Sequence, residues 1–489
     1  MPANFAFCVL DDALRRHPGK TAIIFEETRL DYARLARNVH ALAAELRRRN
    51  VTPGDRVALL LPDSPALVSW FLAALAVGAV ATPINERASL ADREFILHDA
   101  ALKLLVLDAG RDHGTNWDGA VLMTDLAEPA RNLPEAEAVF APGGDAPGFM
   151  LYTSGSTGKP KGVPHNHDDL AMQARVFAPA VLGDAANDVF LSSSKISFAY
   201  GLGAQIGLAL GLGATLVLHP GPPDPDVLMA LIARHGVNAF FSVPTVYQSL
   251  LRARSGQEDL SSLRLCYSAG EAMPAPVGTA LRDWLGLDVL DGLGTTESAF
   301  VFLSNRPGAI RSGTLGCAVP GYEVRLVDES GADVEPGRSG RLRVRGPGVA
   351  TKYWNRPEST AKAMLPGGWL ETGDLCVEEN GFYRYQGRAD DMIKTGGVWV
   401  SPVLVEDCLQ AHPAVAECGV AALILHGLVY PAAHVVPASG VEPDPGLAQE
   451  LRRHVRAHLP KHMVPVRVEF LADLPRTATG KIQRHKLRR

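Results

Sequence analysis

Short apolar runs alternate with longer stretches of helical periodicity over the first two thirds of the chain. The runs are continuous rather than alternating, which predicts buried strands at 56–61, 103–107, 214–218, 238–242 and 263–267. Residues 227–235 and 274–285 carry helical spacing between them. This order is typical of parallel sheets covered by helices on both faces. Ligands bind such folds at the carboxyl ends of the strands, where the loops at 153, 268 and 291 are expected to converge.

The pattern changes after Val319. Residues 322–327 and 341–345 alternate apolar and polar, as half-exposed antiparallel strands do, which predicts a β subdomain. Further on, Ser401-Pro402 predicts a helix start, apolar strands follow near 415 and 435, and 447–458 reads as a helix. The predicted fold is α/β. Residues 1–389 form a large domain of parallel-type sheets with a β subdomain, and residues 390–489 form a small, mobile α+β domain.

One apolar stretch, residues 66–84, is nearly long enough to span a bilayer. Gly78 and Pro83 interrupt it, and Asp63 and Asn85 bracket it without basic flanks. We therefore predict a buried helix at 65–77 followed by a buried strand at 79–82, and no membrane span.

Composition narrows the class of protein. With 489 residues, 47% hydrophobic and 21% charged, the chain is typical of soluble globular proteins and too long for a single core. A net charge of −5 gives no basic surface for nucleic acid. Six cysteines without a C-x-x-C pair argue against a zinc ribbon or a disulfide framework, and the amino terminus has no basic segment typical of a signal peptide. We expect a cytoplasmic protein.

The loop at 153–162 combines glycine, hydroxyl and lysine residues, and it follows an apolar run at 149–152. Glycines let the backbone approach an anion, while hydroxyl and ammonium groups add donors and positive charge, so the loop predicts a phosphate cradle rather than a flexible linker. It is not of the Walker type, because Pro160 stands where the magnesium-binding hydroxyl would be. The candidate phosphate-binding residues are Thr153, Ser154, Gly155, Ser156, Thr157, Gly158 and Lys159.

Five further motifs follow in a fixed order, at 267–272, 291–297, 371–375, 385–391 and 475–481. Together with the loop they resemble the adenylate-forming superfamily of acyl-CoA synthetases, adenylation domains and luciferases, over nearly the whole chain. Residues 198–203, 302–308 and 477–483 are most similar to the benzoate-CoA ligase branch.

This resemblance implies two half-reactions. A carboxylate attacks the α-phosphorus of ATP to give an acyl-adenylate and pyrophosphate, and the thiol of coenzyme A then displaces AMP. The implied nucleotide-binding set is the phosphate loop together with an adenine slot and a ribose site, formed by Gly270, Glu271, Ala272, Asp291, Gly292, Asp374 and Arg388.

The resemblance also implies the catalytic groups. Glu297 would hold Mg²⁺, a hard cation that prefers carboxylate oxygens, and Thr296 would touch the α-phosphate. Lys481 would bridge the two reacting anions. Asp390 matches the hinge of the small domain, and Lys394 would assist the second step after rotation.

The acid-binding residues implied by the resemblance are Phe198, Ala199, Tyr200, Gly201, Gly294, Phe300 and Val301. Phe300 stands where the benzoate branch usually has a histidine, so benzoate is one candidate beside anthranilate, hydroxybenzoate and alicyclic acids. Tyr200 and Ser298 are the polar partners available for a substituted ring. The pocket segments carry no charge, which argues against a dicarboxylic or amino-acid substrate.

A second departure concerns the thiol acceptor. Residues 421–431 lack the acidic loop and the lysine that the family usually carries there, which leaves an acyl carrier protein as an alternative to coenzyme A. A nucleotide-binding regulator without ligase chemistry is disfavoured by Lys481, Asp374 and Glu297. His165 and His167 have metal-like spacing, but we interpret them as polar packing. A homodimer is compatible with the sequence.

Overall fold

The structure, a computed structural model, describes residues 4–111, 113–115, 117–153, 159–396, 398–425, 428–476 and 482–488. The α-helices in these ranges are α1 Phe5–Arg16, α2 Tyr32–Arg48, α3 Pro65–Ala76, α4 Leu90–Asp99, α5 His167–Met172, α6 Ala199–Leu202, α7 Pro225–His235, α8 Pro244–Ala253, α9 Ala275–Leu285, α10 Pro357–Ala363, α11 Pro402–Gln410 and α12 Pro445–His458. Two of them, α5 and α6, continue into wider π-helical segments, Gln173–Leu182 and Gly203–Leu210.

The strands are β1 Thr21–Phe25, β2 Thr28–Asp31, β3 Arg56–Leu60, β4 Val80–Pro83, β5 Leu104–Asp108, β6 Val121–Thr124, β7 Pro147–Thr153, β8 Lys161–Asn166, β9 Val189–Ser192, β10 Thr215–Leu218, β11 Ala239–Ser242, β12 Leu265–Ala269, β13 Val289–Gly294, β14 Val301–Ser304, β15 Cys317–Ala318, β16 Glu323–Val327, β17 Ser339–Arg345, β18 Met364–Leu365, β19 Trp369–Glu379, β20 Phe382–Arg388, β21 Ile393–Thr395, β22 Val398–Val400, β23 Val415–Leu425, β24 Leu428–Pro437 and β25 Arg467–Phe470.

Two large sheets dominate the structure. One has the strand order β15-β14-β13-β12-β11-β9-β10-β1-β2 and is parallel from β13 to β1, with antiparallel pairs at both edges. The other has the order β6-β5-β3-β4-β7-β8 and is parallel except for β7 with β8. The predicted mainly parallel sheets are confirmed, because continuous apolar runs suit strands buried on both faces.

The strand before the phosphate loop pairs with the strand that follows it. β7 turns back as β8, and Thr153 pairs with Lys161 in antiparallel register. β7 and β8 therefore form a β-hairpin. The sequence of β8 has no continuous apolar run, so pairing with β7 rather than its own pattern makes it a strand.

The long apolar stretch forms a buried helix and strand, as predicted. Every residue of α3 is buried, Ser64 caps it by accepting a hydrogen bond from Leu67 N (3.2 Å), and Pro65 occupies the first turn. Gly78 has a φ of +77°, which lets the chain turn between α3 and β4. Over the described ranges, no helix combines the length and apolar character needed to cross a membrane.

The remaining sheets agree with the predicted β subdomain and α+β unit. β16, β17, β19, β18 and β20 are antiparallel, and β23, β24 and β25 form a sheet packed against α11 and α12. Ser401 begins α11: its hydroxyl accepts from Leu404 N (3.2 Å) and donates to Gln386 O. Glu417 of β23 forms ion pairs with Arg476 and with Arg252 of α8 (2.8 Å). The ion pair with Arg252 joins the α+β unit to a helix of the larger part of the chain. The boundary at 389/390 stays a prediction.

Candidate functional site

The phosphate loop is described only at its two flanks. Residues 154–158 lie outside the described residues, as does Lys481. Thr153 ends β7, and the Lys159 ammonium lies 5.5 Å from the centroid of the Phe95 ring. The roles of the loop residues and of Lys481 therefore stay predictions.

A tight turn carries Thr296 and Glu297. Residues Thr296–Ser298 form a single 3₁₀ turn, and the Thr295 side chain caps it by accepting from Ser298 N (3.2 Å). Ala299 then has a φ of +59°, a left-handed conformation that costs a non-glycine residue about 1–2 kcal/mol. This reversal places Phe300 beside the turn that carries Glu297.

A tyrosine that the motifs do not mark holds Glu297. The Tyr353 hydroxyl donates to Glu297 Oε1 over 2.6 Å, and Ala350 N donates to the Glu297 carbonyl oxygen over 2.7 Å. Burial, with the carboxylate adding to it, raises the pKa of Tyr353, so this phenol stays a proton donor. The Lys161 ammonium lies over the Tyr353 ring, 5.1 Å from its centroid. One carboxylate oxygen of Glu297 is thus fixed by a phenol whose ring also contacts the Lys161 ammonium.

His165 anchors the same turn from the other sheet. Its Nε2 lies 2.8 Å from Thr296 O, its Nδ1 lies 3.1 Å from Asp169 Oδ2, and its ring stacks on Phe149 with 4.9 Å between centroids. His167 Nδ1 accepts a hydrogen bond from Phe5 N (3.3 Å). Each histidine therefore packs with at least one ring nitrogen hydrogen-bonded, and His165 in addition joins β8 to the turn of Thr296.

The candidate adenine slot lies at the ends of β12 and β13. Asp291 is buried, its Oδ2 accepts from Met273 N (3.1 Å), and its Oδ1 has no hydrogen-bond partner within the described chain. Burial raises the pKa of Asp291 to about 7. A Cβ at Gly292 would lie 2.2 Å from the Tyr267 hydroxyl oxygen, so only glycine fits there. Gly270, with a φ of +93°, is followed by Glu271 and Ala272 in the turn before α9.

The titration of Asp291 gives a test in the ligand-free protein. Because the folded protein holds this proton more tightly than the unfolded chain, wild-type stability is expected to fall as the pH rises from about 4 to about 7. Asp291→Asn cannot ionise, so its stability should rise relative to wild type over that window by up to about 4 kcal/mol. Urea unfolding at pH 5 and pH 8 measures most of this change, about 3 kcal/mol. Asp283→Asn, an exposed change on α9, should show no such trend, and a pH-independent difference for Asp291→Asn would contradict the assignment.

Asp374 and Arg388 form the candidate ribose site. Asp374 is buried, its Oδ1 accepts from Arg388 over 3.1 Å, and its Oδ2 has no hydrogen-bond partner among the described residues. Gly373 has a φ of +78°, and the Thr372 hydroxyl accepts from Asp374 N (3.1 Å). The carboxylate raises the pKa of Arg388 and keeps it charged. The second oxygen of Asp374 is therefore a buried acceptor ready for a hydroxyl donor.

The predicted acid pocket is built around Phe300. The Tyr200 ring stacks on the Phe300 ring (6.0 Å between centroids, 21° between planes), and Phe177 meets Phe300 edge-on at 5.0 Å. A Cβ at Gly203 would lie 2.1 Å from Phe300 Cδ2, so the ring occupies the space that a side chain at 203 would need. Gly294 is equally restricted, because a Cβ there would lie 2.2 Å from Phe300 O.

Three other predicted acid-pocket residues belong to α6 or precede it. Phe198 is the residue before α6 and Ala199 is buried in its first turn. A Cβ at Gly201 would lie 2.1 Å from Lys195 O. Val301 is buried at the start of β14, directly after Phe300.

The hydroxyls of Tyr200 and Ser298, which we expect to be available to a substituted ring, donate their protons within the protein. The Tyr200 hydroxyl donates to Tyr267 O (2.9 Å), and Ser298 Oγ lies within hydrogen-bond distance of Phe300 O (2.8 Å) and Thr295 O (3.1 Å). Backbone carbonyls already take the proton that each hydroxyl can donate.

Comparison with known proteins identifies the family. The model described as "AMP-binding enzyme" matches residues 10–354, and the one described as "AMP-binding enzyme C-terminal domain" matches residues 404–481. The chain belongs to the AMP-binding enzymes. It is 38% identical to a benzoate–CoA ligase of Thauera aromatica, over 96% of this chain and 92% of that protein.

Solved structures of AMP-binding enzymes agree with this assignment. The fold is similar to that of a benzoate CoA ligase from Burkholderia xenovorans LB400, with a TM-score of 0.93, 36% identity and full coverage of both chains. It is also similar to an anthranilate CoA ligase in complex with anthranoyl-AMP, with a TM-score of 0.92, 33% identity, and 99% of this chain and 96% of that chain covered.

In this AMP-binding enzyme the predicted hinge residue, Asp390, and the residue predicted to assist the second half-reaction, Lys394, both lie shortly after β20 in the chain. Asp390 lies in a 3₁₀ turn, where its carbonyl oxygen accepts from Arg488 (3.0 Å), and Asp391 forms an ion pair with the same guanidinium. Lys394 lies on β21 with its ammonium 5.2 Å from the centroid of the Trp399 ring. Both roles stay predictions.

Proposed function

We propose that this enzyme is an ATP-dependent aryl-CoA ligase. It activates a small aromatic carboxylate as its acyl-adenylate with release of pyrophosphate, and the thiol of coenzyme A then attacks the acyl carbon and releases AMP. The observation that carries this proposal is the aromatic pocket of Tyr200 and Phe300, which adjoins the turn of Thr296 and Glu297. Relatives named for benzoate, 3- or 4-hydroxybenzoate and anthranilate support the class of acid.

The nucleotide fits the buried polar groups. Asp374 offers its unpartnered Oδ2 to a ribose hydroxyl, with Arg388 holding the other oxygen. Asp291, with Gly270, Glu271, Ala272 and Gly292, borders the adenine, where a protonated carboxyl can donate and accept. Residues 153–159 surround the β- and γ-phosphates.

Glu297 fits a Mg²⁺ ion. The Tyr353 hydroxyl uses Oε1 and so orients the carboxylate for a hard cation. Bound Mg²⁺ would neutralise charge on the triphosphate. Thr296 contacts the α-phosphate, and Lys481 bridges that phosphate and the attacking carboxylate. Rotation of residues 390–489 about Asp390 exchanges Lys481 for Lys394 before the thiol attacks.

Tyr353→Phe tests the orientation of Glu297. Losing the phenol frees the carboxylate, so we expect the Mg²⁺ concentration for half-maximal adenylation to rise about tenfold. Initial rates over a Mg²⁺ titration measure this. Tyr383→Phe, in the β subdomain, is the control and should leave the titration unchanged. An unchanged titration for Tyr353→Phe would mean that the hydroxyl does not orient the metal ligand.

A pyrophosphate-release screen tests the function itself. Benzoate, its amino and hydroxy derivatives and cyclohexane carboxylates are supplied with ATP and Mg²⁺, and AMP and acyl-CoA are quantified with coenzyme A present. Pyrophosphate and acyl-CoA from an aromatic acid are expected. Absence of pyrophosphate with every acid refutes the proposal.

A carrier-protein acceptor is the second candidate. Ile424 and Leu428, at the ends of β23 and β24, are 63% and 60% exposed, which suits a protein surface better than a phosphorylated nucleotide. Acylation of a carrier protein in place of coenzyme A would establish this alternative.

A further inference from the structure

Gln173 is a buried amide without a partner. It is the first residue of the π-helical segment that follows α5, and only 5% of it is exposed. Neither its Oε1 nor its Nε2 has a hydrogen-bond partner in the described part of the chain. A buried carboxamide in this state is costly and rare, so it points to a ligand.

The carboxamide lies beside Phe300. A Cβ at Gly207 would lie 1.8 Å from Gln173 Oε1, and a Cβ at Gly203 would lie 2.9 Å from that oxygen and 2.1 Å from Phe300 Cδ2. Two glycines one helical turn apart therefore leave space for both the amide and the ring. Any side chain at either position would displace the amide oxygen.

A cavity borders both groups. Its lining includes Gln173, Phe177, Phe300 and Val301, two of which belong to the predicted acid pocket. Two other polar side chains of the lining already bond within the protein: Asp169 with His165 and Asn166 N, and Ser298 with Phe300 O. Of the side chains in this lining, the carboxamide of Gln173 has two buried polar atoms, and neither has a partner in the described chain.

We propose that the carboxamide of Gln173 recognises a hydroxyl or amino substituent on the aromatic ring of the acid. An amide donates through Nε2 and accepts through Oε1, so it satisfies a hydroxyl or an amino group but not a methyl. The apolar walls suit the ring, and the carboxylate of Asp169 disfavours a second anionic group. The preferred acids are then hydroxy- or aminobenzoates rather than benzoate. This inference rests on the proposed function.

The test compares substrates that match in size. For wild type, kcat/KM of pyrophosphate release is measured with each hydroxy- and aminobenzoate, the corresponding methylbenzoates and benzoate. At least one polar isomer is expected to exceed its methyl counterpart by about 10- to 100-fold. Gln173→Leu should remove that advantage, lowering kcat/KM for the polar isomer by a larger factor than for benzoate or the methyl isomer. Gln173→Asn, which keeps the amide, should retain part of it.

The following controls distinguish a failure of this inference from a failure of the proposed ligase function. Gln410→Leu makes the same chemical change on α11 and should alter no substrate ratio, while thermal unfolding establishes that each variant is folded. If methyl and polar isomers are used equally by wild type, or if Gln173→Leu lowers all rates by one factor, the inference is overturned and the ligase function stands. If no acid releases pyrophosphate, both fail.

Discussion

Replacing Lys481 with alanine is expected to slow acyl-adenylate formation by about 100-fold or more, while thioester formation from supplied acyl-adenylate changes little. Two anions, the carboxylate and the α-phosphate, must meet in the first half-reaction. A single ammonium that contacts both neutralises charge most strongly in the transition state, so its loss affects the rate more than substrate affinity. The second half-reaction has no such encounter.

The two half-reactions can be measured separately. Pyrophosphate exchange reports adenylation, and acyl-CoA formation from synthetic acyl-adenylate reports thiol transfer. Lys486→Ala removes the same charge from an exposed position five residues away and should leave both rates near wild type. Equal losses in the two assays for Lys481→Ala would contradict the assigned role.

Glu297→Gln is expected to lower kcat for adenylation by about 100-fold. The amide keeps an oxygen that can accept from the Tyr353 hydroxyl, now 2.6 Å from the carboxylate, so the turn should stay intact. What disappears is the negative charge that a hard cation requires. The loss should therefore be larger than for Tyr353→Phe, which only frees the carboxylate.

The Mg²⁺ dependence of the rate distinguishes weaker Mg²⁺ binding in Glu297→Gln from a general loss of stability. Raising Mg²⁺ should recover part of the activity of Glu297→Gln, because weaker binding is partly offset by concentration. Glu323→Gln, whose side chain is 62% exposed and paired with Arg345, makes the same charge change away from the site and should behave as wild type. If extra Mg²⁺ recovers no activity, Glu297 does not hold the ion.

The elements that could be predicted are those whose own residues carry the signal, either a continuous apolar run or a cap residue followed by proline. α3 and the strands before it and after it are continuous apolar runs, and α11 carries its cap and proline at the start. β8 was not predicted, because Lys161–Asn166 becomes a strand through pairing with β7. Its local pattern is neither alternating nor apolar.

The same limit applies to the site. Motifs identify Glu297 and Asp374 by residue type and order, but Tyr353 lies 56 residues after Glu297 and His165 lies 131 residues before Thr296. Their contacts are created by the fold, and nothing in their neighbouring residues marks them. Gln173 is similar: only its burial beside Phe300 distinguishes it from an ordinary helical glutamine.

The close fit of Phe300 against Gly203 makes these two positions epistatic. A methyl group at 203 would overlap the ring at 2.1 Å, so Gly203→Ala alone should damage the pocket, whereas the same change together with a smaller residue at 300 can be accommodated. A larger residue at 203 is therefore accessible only after a smaller residue has replaced Phe300, so changes of acid specificity that use position 203 must begin at 300.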